Sequence, residues 1–111
     1  MKWNNLTELS QLDIIDEESK SKKVMIFKHS TRCSISDASL GRMERKWSDA
    51  NDEKLKPYYL DLLEHRNISN AIAERYNVMH ESPQALVISN GNCVFSQTHM
   101  GIDINGILEI V

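Results

Sequence analysis

The stretch Val24-Met25-Ile26-Phe27-Lys28-His29-Ser30-Thr31-Arg32-Cys33-Ser34-Ile35-Ser36 decides how this chain is read. Val24 to Phe27 form a short continuous apolar run, which predicts a strand buried on both faces of a sheet. The end of that run delivers the chain directly to Cys33. Ser34 or Ser36 can cap the helix that follows, and Ala38, Leu40, Met43 and Trp47 are compatible with a helix ending near Ser48 to Asn51. Backbone N–H groups at a helix start have no intrahelical partners and carry partial positive charge, so they favour a thiolate over a thiol. The placement therefore predicts a reactive cysteine.

Upstream, Leu6, Leu9, Leu12 and Ile15 recur every three residues and predict a short amphipathic helix or turn, closed by the polar Lys20-Ser21-Lys22-Lys23. Downstream, Tyr58 to Leu62 reads as a second strand after Pro57, and Asn67-Ile68-Ser69 opens a helix through Tyr76. Ala85 to Ile88 is a third strand. Asn90-Gly91 predicts a type I′ hairpin turn, and Cys93 to Gln97 returns antiparallel. After Gly101, Asp103 can cap a last helix carrying Ile104, Ile107, Leu108 and Val111. A βαβ unit, a helix, a hairpin and a terminal helix make an α/β arrangement with a mixed sheet. Crossover handedness then sets Cys33 at the carboxyl edge of its strand, where open α/β sheets bind ligands.

The 111 residues, 41% hydrophobic and 26% charged, fit one domain spanning 1–111, large enough to bury a core without disulfide staples. The polar opening Met1-Lys2-Trp3-Asn4-Asn5 and the lack of any long apolar stretch predict a cytoplasmic protein with no membrane partner. In that compartment a cysteine is catalytic, metal-binding or buried rather than bridged. A net charge of −3 with basic residues scattered among acids predicts no nucleic-acid partner. His29, His65, His80 and His99 show no metal-ligand spacing, so no metal site is expected. Cys93 opens an apolar strand and reads as a small core residue, and Trp3 and Trp47 read as packing residues.

Phe27-Lys28-His29-Ser30-Thr31-Arg32-Cys33, Ile35-Ser36 and Ser82-Pro83-Gln84, in this order, resemble the monothiol bacilliredoxins of the YtxJ-like family within the thioredoxin superfamily. Ser34 stands where that family commonly has Pro, and Arg32 separates Thr31 from Cys33. The resemblance covers nearly the whole chain. It implies a thioredoxin-like (glutaredoxin-like) fold with a central mixed four-stranded sheet flanked by helices. It also implies a cis peptide bond before Pro83, facing the cysteine, with the backbone of Ser82 left free to pair with an extended substrate.

The activity so implied is removal of bacillithiol, a low-molecular-weight thiol, from S-bacillithiolated proteins. Cys33 is the nucleophile. Ser36 occupies the position three beyond it, where dithiol relatives carry a resolving cysteine, and opens the helix, hydrogen-bonds the Cys33 sulfur, or does both. Lys28 and Arg32 are candidate cations for the bacillithiol carboxylates, and Ser34, Ser82 and Pro83 complete the substrate-binding set. Bacillithiol is co-substrate, no cofactor is tightly bound, and the protein acts as a monomer. Two other functions compete: a monothiol iron–sulfur carrier, although the Cys-Gly-Phe-Ser pattern of such proteins is missing, and a non-enzymatic thiol sensor or stress-response binding module.

Overall fold

The computed structural model describes residues 1–111. In chain order the elements are β1 (Asn4–Asn5), α1 (Gln11–Glu18), β2 (Lys23–His29), α2 (Ser34–Lys46), α3 (Asn51–Lys54), β3 (Leu55–Asp61), α4 (Arg66–Arg75), β4 (Gln84–Ser89), β5 (Asn92–Thr98), a 3-10 turn at His99–Gly101, and α5 (Ile104–Leu108). One mixed sheet has the order β1-β3-β2-β4-β5, with β1, β3 and β2 parallel and β4 antiparallel to both β2 and β5. No helix is long and apolar enough to cross a membrane.

The sheet has five strands rather than the four expected. The fifth is the two-residue β1, which pairs Asn4 and Asn5 with Tyr58 and Tyr59. Asparagine has low strand propensity, so no apolar pattern marks this segment. Tertiary contacts hold it instead. The Asn4 side chain donates to the Pro57 carbonyl at 3.0 Å, and Trp3 packs on Phe27 and Tyr59 with ring centroids 5.8 and 5.9 Å away. Two helix boundaries also shift. Leu6 is buried but precedes α1, while Leu9 is exposed and α1 starts only at Gln11. At the other boundary α2 stops at Lys46, and the separate turn α3 carries the chain into β3.

Strand parity divides the core. Val24 and Ile26 join Leu12, Ile15, Ile68 and Ile72 beneath α1 and α4, whereas Met25 and Phe27 join Met43, Ile104 and Ile107 beneath α2 and α5. Burying each such side chain stabilises the fold by about 1.5–3 kcal/mol. The same parity continues to Lys28 on the first face and His29 on the second.

At the hairpin, Asn90 and Gly91 have φ of 51° and 76°, the type I′ geometry their sequence predicts. Their amides dock on Ser19 at the end of α1, Asn90 N–H on its carbonyl and Gly91 N–H on its hydroxyl. An added Cβ at Gly91 would come no closer than 4.0 Å to Asp16, so the penalty for a side chain there is conformational. Gly91→Ala is expected to lower stability by about 1 kcal/mol, measured by urea unfolding. Beyond the turn, the register shifts between Val87 and Ile88 and leaves Val94 as the extra residue of a bulge. The bulge turns Cys93 toward the α1/α4 face and Phe95 toward the α2/α5 face.

Candidate active site

Cys33 is the N-cap residue of α2, with extended backbone (φ −115°, ψ 120°) and a partly exposed side chain. Its N–H donates to the Ser30 carbonyl at 3.2 Å, and its own carbonyl accepts from Asp37 N–H at 3.0 Å. These two bonds close the turn leaving β2 and start the helix. Thr31, Arg32 and Ser34 are exposed around it. Ser34 is the first residue of α2, and no side chain caps this helix.

Ser36 lies in the opening turn of α2, as expected, but its side chain neither caps the helix nor bonds the Cys33 sulfur. Its side chain is fully buried, its Oγ accepts the Ser30 N–H at 3.0 Å, and it lies 2.6 Å from Nδ1 of His29. Asp37 Oδ1, 3.3 Å from Nε2, can only accept, which assigns the single proton of a neutral ring to Nε2 and leaves Nδ1 to accept from the Ser36 hydroxyl. Burial pushes the His29 imidazole below the ordinary histidine range, against the pull of the Asp37, Asp61 and Glu44 carboxylates. The order Asp37–His29–Ser36 has the connectivity of a hydrolase triad, but a fully buried Ser36 cannot meet a substrate. The structure gives His29 a place in the site that the spacing of the four histidines does not reveal. Its parity with Met25 and Phe27, which places it beneath α2, was the available signal.

Lys28 is not an exposed cation, which overturns its expected role in binding carboxylates. It continues the inward parity of Val24 and Ile26, and its side chain is fully buried. Its Nζ lies 3.3 Å from the Ser69 carbonyl and 3.2 Å from His80 Nδ1. Neither partner is a carboxylate, and burial pushes the amine down to about 8.

The Ser82-Pro83 bond is cis. Lys28 pairs with Gln84 across the β2/β4 ladder, so one further step of that register sets Pro83 opposite His29 at the sheet end that carries Cys33. The Pro83 carbonyl accepts from His99 N–H at 3.0 Å, and the His99 carbonyl accepts from Ser39 Oγ of α2 at 3.2 Å. The proline loop is thereby tied to the cysteine helix. No other backbone group of the chain engages the N–H or C=O of Ser82.

Cys93 lies at the opposite end of the sheet. It pairs with Ile88, which pairs with Val24 at the start of β2. From Val24 to His29 the strand climbs roughly 17 Å, well beyond disulfide reach. Burial pushes the Cys93 thiol up, as suits a core cysteine, and its sulfur lies 3.4 Å from the Phe95 carbonyl.

Comparison with known proteins bears on the family and the fold. The family model described as monothiol bacilliredoxin BrxC matches residues 4–107. A solved protein described as having a thioredoxin fold is 30% identical, with a TM-score of 0.79 over 95% of this chain and 89% of its own. Thioredoxin from Fasciola hepatica is 15% identical, with a TM-score of 0.71 over 96% and 93% of the two chains. Thioredoxin f2 from Chlamydomonas reinhardtii is 8% identical at a TM-score of 0.71, over 98% and 93%. The last two share the fold alone.

Proposed function

This chain belongs to the monothiol bacilliredoxin family, and on that premise we propose that it removes bacillithiol from S-bacillithiolated proteins through a mixed disulfide at Cys33. Family and fold support a thiol redox function. The observation that carries the finer reading is the isolation of Cys33: the residue three positions on is the buried Ser36, and Cys93 is at the far end of the sheet. A disulfide formed at Cys33 has no internal thiol to open it, so the resolving thiol comes from solution.

The Cys33 thiolate attacks the bacillithiol sulfur of the capped client. A Cys33–bacillithiol disulfide forms, the client–bacillithiol bond breaks, and the client leaves as a thiolate that takes a proton. A second bacillithiol thiolate then attacks the bacillithiol sulfur on Cys33, releasing oxidised bacillithiol and free Cys33. The two electrons come from bacillithiol, and every step is thiol–disulfide exchange, so no resident cofactor is needed. The free backbone of Ser82, beside Pro83, pairs with the extended client chain. Arg32 is exposed at the site and suits the bacillithiol carboxylates, and Ser34 flanks the same opening. The protein acts on soluble clients as a cytoplasmic monomer.

The test is turnover. With capped client in large excess and free bacillithiol present, each enzyme molecule is expected to release many client thiols, followed by mass spectrometry of the client. A single stoichiometric modification of Cys33 would mark a sensor. Client left capped, with visible absorbance appearing on anaerobic reconstitution with iron and sulfide and lost in Cys33→Ser, would mark a cluster carrier.

A further inference from the structure

His29 lies in the middle of an unbroken hydrogen-bond chain that ends at the reactive cysteine. Its Nδ1 accepts from the Ser36 hydroxyl at 2.6 Å, Ser36 Oγ accepts the Ser30 N–H at 3.0 Å, and the Ser30 carbonyl accepts the Cys33 N–H at 3.2 Å. Both ends of the Ser30 residue are held, one by Ser36 and one by Cys33. The His29–Ser36 link has no access to substitute water, since Ser36 is fully buried and His29 is 3% exposed. The ring itself is wedged against Tyr59 and Phe27, with centroids 5.7 and 6.4 Å away. An orientation set at His29 therefore reaches the turn that presents Cys33.

We infer that His29 is a positioning residue for Cys33: the neutral ring, acting through the Ser36 hydroxyl and the Ser30 amide, holds the Ser30–Cys33 turn, and protonation of the ring releases it. The inference rests on the reading of Cys33 as the reacting thiol. A proton added at Nδ1 turns the Ser36 hydroxyl: Oγ must then accept both Nδ1–H and the Ser30 N–H, and its own buried proton loses the acceptor it had. The charged and titratable groups around the ring are Asp37 and Glu44 on α2 and Asp61 and Tyr59 on β3. The three carboxylates favour the imidazolium, and burial outweighs them, so the ring is neutral at pH 7 and protonates only on acidification below the ordinary histidine range.

The test uses the full chain with Cys93→Ala, so that only Cys33 reacts, and follows alkylation by iodoacetamide against pH. This reagent reports thiol reactivity without any bacillithiol, so failure of the inference and failure of the proposed function are separable. The parent protein is expected to show an acidic inflection from His29, below the ordinary histidine range. His29→Asn offers an amide oxygen near the Nδ1 position but does not titrate. It should keep the neutral-pH rate within about twofold and lose the acidic inflection. His29→Ala and Ser36→Ala should each slow alkylation about tenfold at neutral pH, with no further loss in the double variant. An acidic inflection retained in His29→Asn would overturn the inference, even if the alanine variants fail to fold. So would alanine variants that fold and alkylate at the parent rate.

Discussion

Replacing Cys33 with serine is expected to reduce release of client thiols to the uncatalysed background, while replacing Cys93 with alanine leaves turnover within about twofold of the parent. The asymmetry follows from chemistry and position together. A serine hydroxyl is not ionised at neutral pH and cannot form the mixed disulfide, so Cys33→Ser removes the nucleophile itself. Cys93 lies on the other end of the sheet, beneath α1 and α4, where its sulfur contacts Phe95 and the core. Its truncation removes one partly buried atom and should lower stability by about 1 kcal/mol or less. Turnover assays on the three proteins, with circular dichroism to confirm folding, decide the matter. Equal loss of activity in both variants would contradict a monothiol cycle.

The second large effect is on stability, at Lys28. A charged amine enclosed by Ser69, His80 and the core, with no carboxylate partner, gives up solvation that it does not recover. The fall from 10.5 to about 8 corresponds to about 3 kcal/mol against the charged amine at neutral pH. Lys28→Met, which fills similar space without charge, is expected to raise stability at pH 7 by an amount approaching that figure. The sign of the pH dependence follows from proton uptake. Between about 8 and 10.5 the unfolded chain binds a proton at Lys28 that the native chain does not, so Lys28 makes stability rise with pH over this window. Tyr58, Tyr59, Tyr76 and Cys93, each pushed up mainly by burial, oppose that slope as they ionise in the unfolded chain. The difference between parent and Lys28→Met cancels those terms. Urea unfolding should show the advantage of the methionine variant shrinking from pH 7 to pH 10. A destabilised variant would mean that the bonds to Ser69 and His80 outweigh the lost solvation.

What could be read from the sequence depended on whether a residue's role was local. The apolar run Val24–Phe27 and the turn pair Asn90-Gly91 carry their structural meaning in their own chemistry, and both appear as read. The same holds for Cys33 at a helix start. The cis bond before Pro83 came from the family resemblance, because most bonds preceding proline are trans. β1 escaped because two asparagines become a strand only through Tyr58 and Tyr59, more than fifty residues away. Lys28 was misread because lysine is usually solvated, although its alternation with Val24 and Ile26 already pointed it inward. Ser36 has the composition of a helix cap, and only the folded placement of His29 draws its hydroxyl into the interior.

The most direct test of the cycle follows the cap itself. Reduced protein is mixed with a bacillithiol-capped client, and intact and peptide mass spectrometry locate bacillithiol before and after free bacillithiol is added. The account predicts that the cap moves from the client to Cys33 and then leaves when free bacillithiol arrives, with Cys93 unmodified throughout. A client that stays capped beside an unmodified Cys33 would contradict it.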